Sequence, residues 1–312
     1  MSRRPAVMVC EVQVLLKPYL EARREMHLLY KIARAASEEH LATQFAVQEG
    51  RAEDATWSTE EQRAVEKVRR NVEKRYDLTL YNACFDGFPK AVEAALEVEW
   101  IKRNPNCANK NGMTPLYIAC QKGHLDVVRM LLSTEGIETN RAEEEYGRTP
   151  LYIACCNGHL DVVRMLLSTE GIDTNRARET GATPLFIACQ EGHLDVVRML
   201  LSTEGIEPDR ARENGSTPLF MACQKGHLDV VRMLLSVDGI DPNRANARKL
   251  APVHTASDQG HLEVVRLLLT LPGLDITTED KWGNTPEAWA RKKGHTAVAS
   301  LLREHAAAAP AE

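Results

Sequence analysis

TPLYIACQKGHLDVVRMLLSTEG, residues 114–136, is written again almost letter for letter from Thr149, Thr183 and Thr217. Looser copies start at Thr79, Ala251 and Thr285, so seven units follow one another at spacings of 34 or 35 residues. A repeat of this size is one supersecondary unit that cannot bury its apolar face alone. Its neighbours supply the other side, and the units stack into one extended core. The copies read as bricks of an array, and the length of 312 residues therefore gives no count of globular domains.

Each phrase has a local physical task. Thr114 is placed to cap a helix whose first residue, Pro115, has no N–H to leave unpaired there. Leu116, Ile118 and Ala119 give this short first helix its apolar face. Gly123 ends it by adopting a left-handed conformation without a Cβ penalty. His124 opens a second helix, and Asp126 in its first turn suits the helix dipole. Leu125, Val128 and Leu132 recur at i, i+3 and i+7, with Val127 and Leu131 beside them, which predicts the buried face of that helix.

The phrases TPLYIA, GHLDVVRMLL and GIETN resemble the ankyrin repeat, whose pattern is TPLHxA, then GHxxVVxxLL, then a Gly-Ala-Asp-x-Asn loop. The Trp-Leu-Gly-Tyr framework of tetratricopeptide repeats, which share the period, is absent. The resemblance covers residues 79 to about 305. It implies an all-α solenoid of seven helix-turn-helix units with short β-hairpin loops, preceded by a mainly helical N-terminal region. STEGIETN, at 133–140, is about one residue longer than the family loop, a local adjustment because loop closure depends weakly on length. The TPLH histidine, which helps tie neighbouring units in the family, is here Tyr117, Tyr152, Phe186 and Phe220 and survives as His254. Aromatic packing is therefore expected to replace that polar tie in the central units. The first unit, with Leu80 for Pro and Phe88 for the GH histidine, and the last, with Arg291, Lys292 and Lys293, read as end caps with polar outer faces. AAAAPAE, 306–312, reads as a frayed tail.

Residues 1–78 differ from the array. VMVCEVQVLL is a candidate strand, and a helical pattern follows Pro18 through Leu20, His27, Leu28, Ile32 and Ala35, so 1–50 reads as a strand–helix segment. In 51–78 a break near Gly50 to Ala55 precedes a capping box at Ser58 to Glu61 and a charged helix reaching about Tyr76. Glu11 and Gln13 interrupt the apolar start and no small-residue cleavage pattern follows, which argues against a secretory signal. CEVQV with PYLEARREMHLLYKIARA resembles the closing strand and helix of an alarmone-synthetase-type nucleotidyltransferase domain, through Glu11, Gln13, His27 and Tyr30. The phosphate and metal ligands that such a domain needs upstream are missing. The likeness implies a fragment, a remnant or a truncated gene model of a regulatory protein whose repeats serve targeting.

Composition removes several function classes. The net charge of −5 and pI near 6.1 give no overall pull toward nucleic acid or an anionic membrane. No apolar run approaches the roughly 18 residues of a membrane span. Of the eight cysteines, Cys84, Cys120, Cys155, Cys189 and Cys223 share one repeat position, as one packing slot filled repeatedly. Reduced thiols and a cytoplasmic or nuclear protein are expected, with Asn214 an unused glycosylation acceptor. The spacing Cys-x-x-x-His, as in Cys120 and His124, suits zinc donors, but a helix-breaking Gly separates the pair, so packing is the preferred reading and no structural metal is expected. Met130, Met165, Met199 and Met233 read as interior filler. Glu143, Glu144 and Glu145 read as a solvated acidic finger. No phosphate-binding loop, nucleophile elbow or HExxH helix appears, so neither catalysis nor a cofactor is expected.

If the frame is fixed, binding information lies where the copies disagree. They disagree at the end of the first helix, at Gln121 and Lys122, Asn157, Glu191 and Lys225. They disagree again at the hairpin tips, at Glu143, Glu144, Glu145, Tyr146 and Arg148, at Arg178 and Glu179, at Arg212, Glu213 and Asn214, and at Arg248 and Lys249. In ankyrin proteins these two regions line the concave groove that grips partners, which implies one or more protein partners. The tips run from acidic to basic, so the expected partner segment is basic opposite the Glu tip and acidic opposite Arg248 and Lys249.

Overall fold

The computed structural model describes residues 76–96 and 98–308. The expected strand, helices and capping box before Tyr76, and the nucleotidyltransferase likeness, lie outside the described residues, as do 309–312. The described chain is all-α, with fifteen helices and no strand among the described residues. It divides into two compact blocks, one ending at Glu138 and one starting at Thr139.

The first block holds α1 (Tyr76–Asp86), α2 (Pro89–Leu96), α3 (Glu99–Arg103), α4 (Pro115–Lys122) and α5 (Leu125–Leu132). Its first helix starts before Thr79 because Leu80, unlike the proline of later repeats, does not force the preceding residue out of helical conformation. The short α3, which periodicity did not reveal, buries Ile101 completely. The second block holds five pairs: α6 (Pro150–Cys156) with α7 (Leu160–Leu167), α8 (Pro184–Glu191) with α9 (Leu194–Leu201), and α10 (Pro218–Lys225) with α11 (Leu228–Leu235). It ends with α12 (Pro252–Gln259) and α13 (Leu262–Leu268), then α14 (Pro286–Lys292) and α15 (Thr296–Ala308). The last helix runs through 306–308, part of the expected tail.

The caps form as the sequence dictates. Thr114, Thr149, Thr183 and Thr217 each accept a hydrogen bond at 3.1 Å from the N–H three residues on, and Pro follows at the first helical position. Inside the second block the first helices α8, α10 and α12 each bury six successive residues, Pro184 to Cys189 in α8, because each lies between a preceding and a following first helix. The second helices bury less. In α9 these are Val196, Val197 and Leu200, and in α5 Val127, Val128 and Leu131, while Leu125 and Leu132 stay half-exposed. Met130, Met165, Met199 and Met233 are half-buried rather than interior, because the buried stripe is narrower than the apolar one in the sequence. Cys84, Cys120, Cys155, Cys189 and Cys223 fill one fully buried slot, and burial pushes the Cys120, Cys189 and Cys223 thiols well above the ordinary range.

Two side-chain ties join successive repeats. In the first, the Nε2–H of the GH histidine donates to a carbonyl of the preceding repeat: His124 to Phe85 in the first block, and His193 to Cys156, His227 to Gln190, His261 to Gln224 and His295 to Asp258 in the second, at 3.0–3.1 Å. A polar tie therefore persists in the central repeats, carried by a different histidine from the one lost at TPLH. The vacated TPLH positions are filled by buried Tyr117, Tyr152, Phe186 and Phe220.

The second tie is an asparagine clasp. Asn140 donates to the Gly171 carbonyl at 2.7 Å and accepts from the Asp173 N–H at 2.9 Å. Asn175 does the same with Gly205 and Glu207, Asn243 with Gly273 and Asp275, and Asn106 with Gly136 and Glu138 in the first block. Asp209 interrupts the series. Lacking the amide, it takes Arg244 Nη1 on Oδ2 at 2.7 Å, while its buried Oδ1 has no partner. Burial raises its carboxyl above the usual range despite Arg244.

Asp209→Asn should restore the clasp and raise the melting temperature. Two regained hydrogen bonds contribute about 1 kcal/mol each, against a partly exposed ion pair whose loss costs about 0–1 kcal/mol. Because the raised carboxyl burdens the folded state only when ionised, the gain should be largest at neutral pH and shrink as pH falls through the carboxylate range. Thermal melts of both proteins at pH 7 and pH 4 check this; an unchanged or lower melting temperature at pH 7 contradicts it.

Candidate protein-binding face

Between repeats the second block projects a row of tight fingers. Each closes by a backbone bond from its first residue to its last: Glu143 to Arg148, Arg178 to Ala182, Arg212 to Ser216 and Asn246 to Leu250 at 3.0 Å, and Asp280 to Asn284 at 3.1 Å. Adjacent tips are chained by one further backbone bond. Glu179 N–H donates to Tyr146, Glu213 to Thr180, Ala247 to Asn214 and Lys281 to Arg248, at 2.9–3.1 Å. The expected β-hairpins are thus closed turns in register, with no strand pairing among the described residues.

The first residue of each finger decides how it is held. Glu143 is 2% exposed and accepts from the N–H groups of Glu145, Tyr146 and Arg148 and from Arg148 Nε at 2.9 Å. Burial alone would raise its carboxyl, but these bonds outweigh it and hold the group below the usual range. The solvated acidic finger is therefore corrected: Glu143 is an internal clasp, and Glu144 and Glu145 carry the exposed charge. Asp280 plays the same part in the last finger, accepting from the Trp282 and Asn284 N–H groups and from Trp289 Nε1. Arg178 and Arg212 stand in the same place and are half-buried. Their Nε atoms hold Thr180 and Asn214, and their guanidiniums lie 5.9 Å and 5.5 Å over the rings of Tyr152 and Phe186. Tyr152 and Phe186, two of the aromatic residues that replace the TPLH histidine, thus support the fingers that begin at Arg178 and Arg212.

The remaining sequence candidates separate by exposure. Tyr146, Asn157, Glu179, Glu191, Glu213, Asn214, Lys225, Arg248 and Lys249 are exposed, and Arg148 is half-buried with its guanidinium 4.7 Å from the Tyr146 ring. Cys156, at the end of α6, is half-buried and feels Glu191, Arg148 and Arg178 electrostatically. The first-helix ends and finger bases of this block therefore share one environment. In the first block Gln121 is half-buried and the Lys122 ammonium sits 4.2 Å over Phe85, already engaged within the chain. Comparing the four central copies missed Lys281 and Trp282, which occupy the tip of the last finger. Trp282 is 57% exposed, and aligning that finger with the others would have found it.

The sixth repeat has Ala251 where Thr114, Thr149, Thr183, Thr217 and Thr285 cap their helices, and its histidine takes over the cap. The Ala251 N–H donates to His254 Nδ1 at 3.2 Å, and His254 Nε2–H donates to the Thr278 carbonyl at 2.9 Å. The first bond requires a neutral imidazole, because Nδ1 accepts; the second is open to either protonation state. Burial lowers the His254 pKa, against the opposing pull of the Thr278 bond and of Asp280 and Asp275. Among the described residues no group of three or more His, Cys, Asp or Glu is placed to hold a metal ion, and no helix is long and apolar enough to cross a membrane.

A family model described as "Ankyrin repeats (3 copies)" matches the chain twice, at residues 80–178 and 170–246. The match covers more than half of the chain, which belongs to the ankyrin-repeat family. Ankyrin repeats are in general protein–protein interaction modules and typically lack enzymatic activity. No curated protein matches the chain. The helix pairs beyond residue 246 keep the histidine tie, through His261 and His295.

The neutral His254 cap gives a pH prediction. A base whose folded pKa lies below its unfolded value, about 6.5 for imidazole, contributes stability above that value and loses it as pH falls, because the unfolded chain binds the proton first. The double variant Ala251→Thr with His254→Tyr, which installs the central-repeat cap, should lose less stability between pH 7 and pH 5 than the parent. Urea melts at the two pH values check this; equal losses contradict it.

Proposed function

We propose that the chain is a non-enzymatic scaffold or adaptor that grips a partner protein along the groove formed by first-helix ends and finger tips. One observation carries the reading. The contacts between repeats are made by the frame, namely backbone atoms, the GH histidine and the asparagine clasp, whereas the exposed tips that the frame holds in register vary from finger to finger. Such a row presents different side chains at regular intervals on a rigid support, which suits recognition of an extended or helical segment rather than chemistry on a small molecule. Cys84, Cys120, Cys189 and Cys223 are buried free thiols, which fits a reducing compartment, cytoplasm or nucleus.

The tips also differ in sign, from Glu144 and Glu145 at one end to Arg248 and Lys249 at the other. A partner of opposite polarity is steered and oriented by that difference. Affinity capture from a native extract, comparing the intact chain with one carrying neutral residues at the exposed tips, should yield a protein held by the first and lost from the second. Its association should slow as salt is raised. Equal capture by both chains would overturn the groove as the site, and an association rate indifferent to salt would overturn the polarity.

A further inference from the structure

The basic end of the row departs from the rest in its backbone. Lys249 has φ of 57°, the one left-handed non-glycine residue among those described. Gly147, Gly181, Gly215 and Gly283 occupy its place in the other fingers, all with positive φ. An L-residue with a Cβ is disfavoured in that region, and a lysine there relieves no packing fault because its side chain is exposed. The strain is kept where glycine would remove it, and what it presents outward is a positive charge.

The surroundings give that charge a context. The Arg248 carbonyl accepts from the Lys281 N–H at 3.0 Å, which sets the tips 246–250 and 280–284 side by side. Trp282, on the second tip, is the most exposed large apolar side chain among the described residues. Its ring meets Trp289 edge-on, with centroids 6.4 Å apart. Trp289 is fixed from behind by its bond to the buried Asp280 carboxylate at 2.7 Å, and Lys292 and Lys293 lie 5.1 Å and 5.9 Å from its ring. Trp282 therefore stands on a rigid base with apolar surface still to bury. Lys293 is paired with Asp258; Arg248, Lys249, Lys281 and Lys292 make no ion pair among the described residues.

Resting on the reading of this face as protein-binding, we propose that these two tips dock an acidic peptide segment of the partner that carries one large apolar side chain. Its carboxylates would pair with Arg248, Lys249 and Lys281, and its apolar side chain would cover Trp282. An aromatic anchor flanked by charges is how interfaces concentrate binding energy. A nucleic acid fits less well. The cations span two tips and give way to exposed Glu213 and Glu179 on the fingers before them, whereas a phosphate backbone gains affinity from many successive contacts.

The experiment uses the full-length chain and a fluorescein-labelled peptide of alternating Glu and Asp with one central Phe. Its Phe→Ser version, a Lys-rich counterpart and a short oligothymidine serve as comparisons. The proposal expects the acidic Phe peptide to bind best. Lys249→Gly should weaken it about tenfold while raising the melting temperature, since the variant removes the strain with the charge. Trp282→Ser should weaken the Phe peptide but not its Phe→Ser version. Arg198→Ser, which removes an exposed positive charge from a second helix, should change neither. Preference for oligothymidine or the Lys-rich peptide, or unchanged affinity in both Lys249→Gly and Trp282→Ser, overturns the proposal. Partner capture that depends on the tips yet survives Lys249→Gly would overturn this docking point and leave the protein-binding reading standing.

Discussion

The structure depends on a close approach between one histidine and one glycine of successive repeats. Gly192 ends α8 with φ of 79°, and a Cβ built there would lie 2.6 Å from the His227 ring. The same ring donates Nε2–H to the Gln190 carbonyl, two residues earlier. The glycine thus serves two needs at once, a left-handed helix end and room for the neighbour's ring. Gly158, Gly226 and Gly260 meet His193, His261 and His295 in the same way. A neighbouring repeat can dock at one height and one rotation only, so the period of the sequence becomes the period of the structure.

That registration explains why the finger row exists. The asparagine clasps tie the loops after the second helices, the histidines tie the helix junctions, and the backbone bonds between tips tie the fingers. The three sets lie at different places along each repeat, and each uses atoms or side chains that recur. Departures from the recurrence are informative for that reason. Asp209 breaks a clasp and leaves a buried oxygen unpartnered, a cost in stability with no exposed feature to match it. Lys249 breaks the glycine series and displays a charge beside an exposed tryptophan, a cost that coincides with a surface feature.

Much of this was legible from the sequence, because capping and helix termination are local. The Thr-Pro starts, the glycine ends and the buried cysteine slot follow from residue chemistry within a few positions. Inter-repeat partners were not legible, because backbone carbonyls carry no letter. The loss of the TPLH histidine therefore suggested a missing polar tie that the GH histidine supplies. The same limit applies to Glu143, which reads as surface charge until its N–H donors are seen. Asn109 and Asp280, which hold their fingers as acceptors at the same repeat position, were the available hint. Periodicity also overestimated the buried face of the second helices, since it records apolar residues and not how closely a neighbour approaches. On the face that carries the fingers, the variable tips were visible, but their division into exposed residues and internal clasps was not.

The central claim, that the glycine–histidine approach sets the stacking, is tested most directly by comparing Gly192→Ala with Gly205→Ala in urea unfolding. Both glycines have positive φ, 79° and 76°, so both substitutions incur the left-handed penalty of about 1–2 kcal/mol. A Cβ at Gly205 meets nothing within 4 Å, whereas at Gly192 it collides with His227 and severs the tie. The account predicts that Gly192→Ala unfolds at a distinctly lower urea concentration than Gly205→Ala, with the difference exceeding about 1 kcal/mol, the typical worth of one hydrogen bond. Equal midpoints would contradict it and assign the stacking to apolar burial alone.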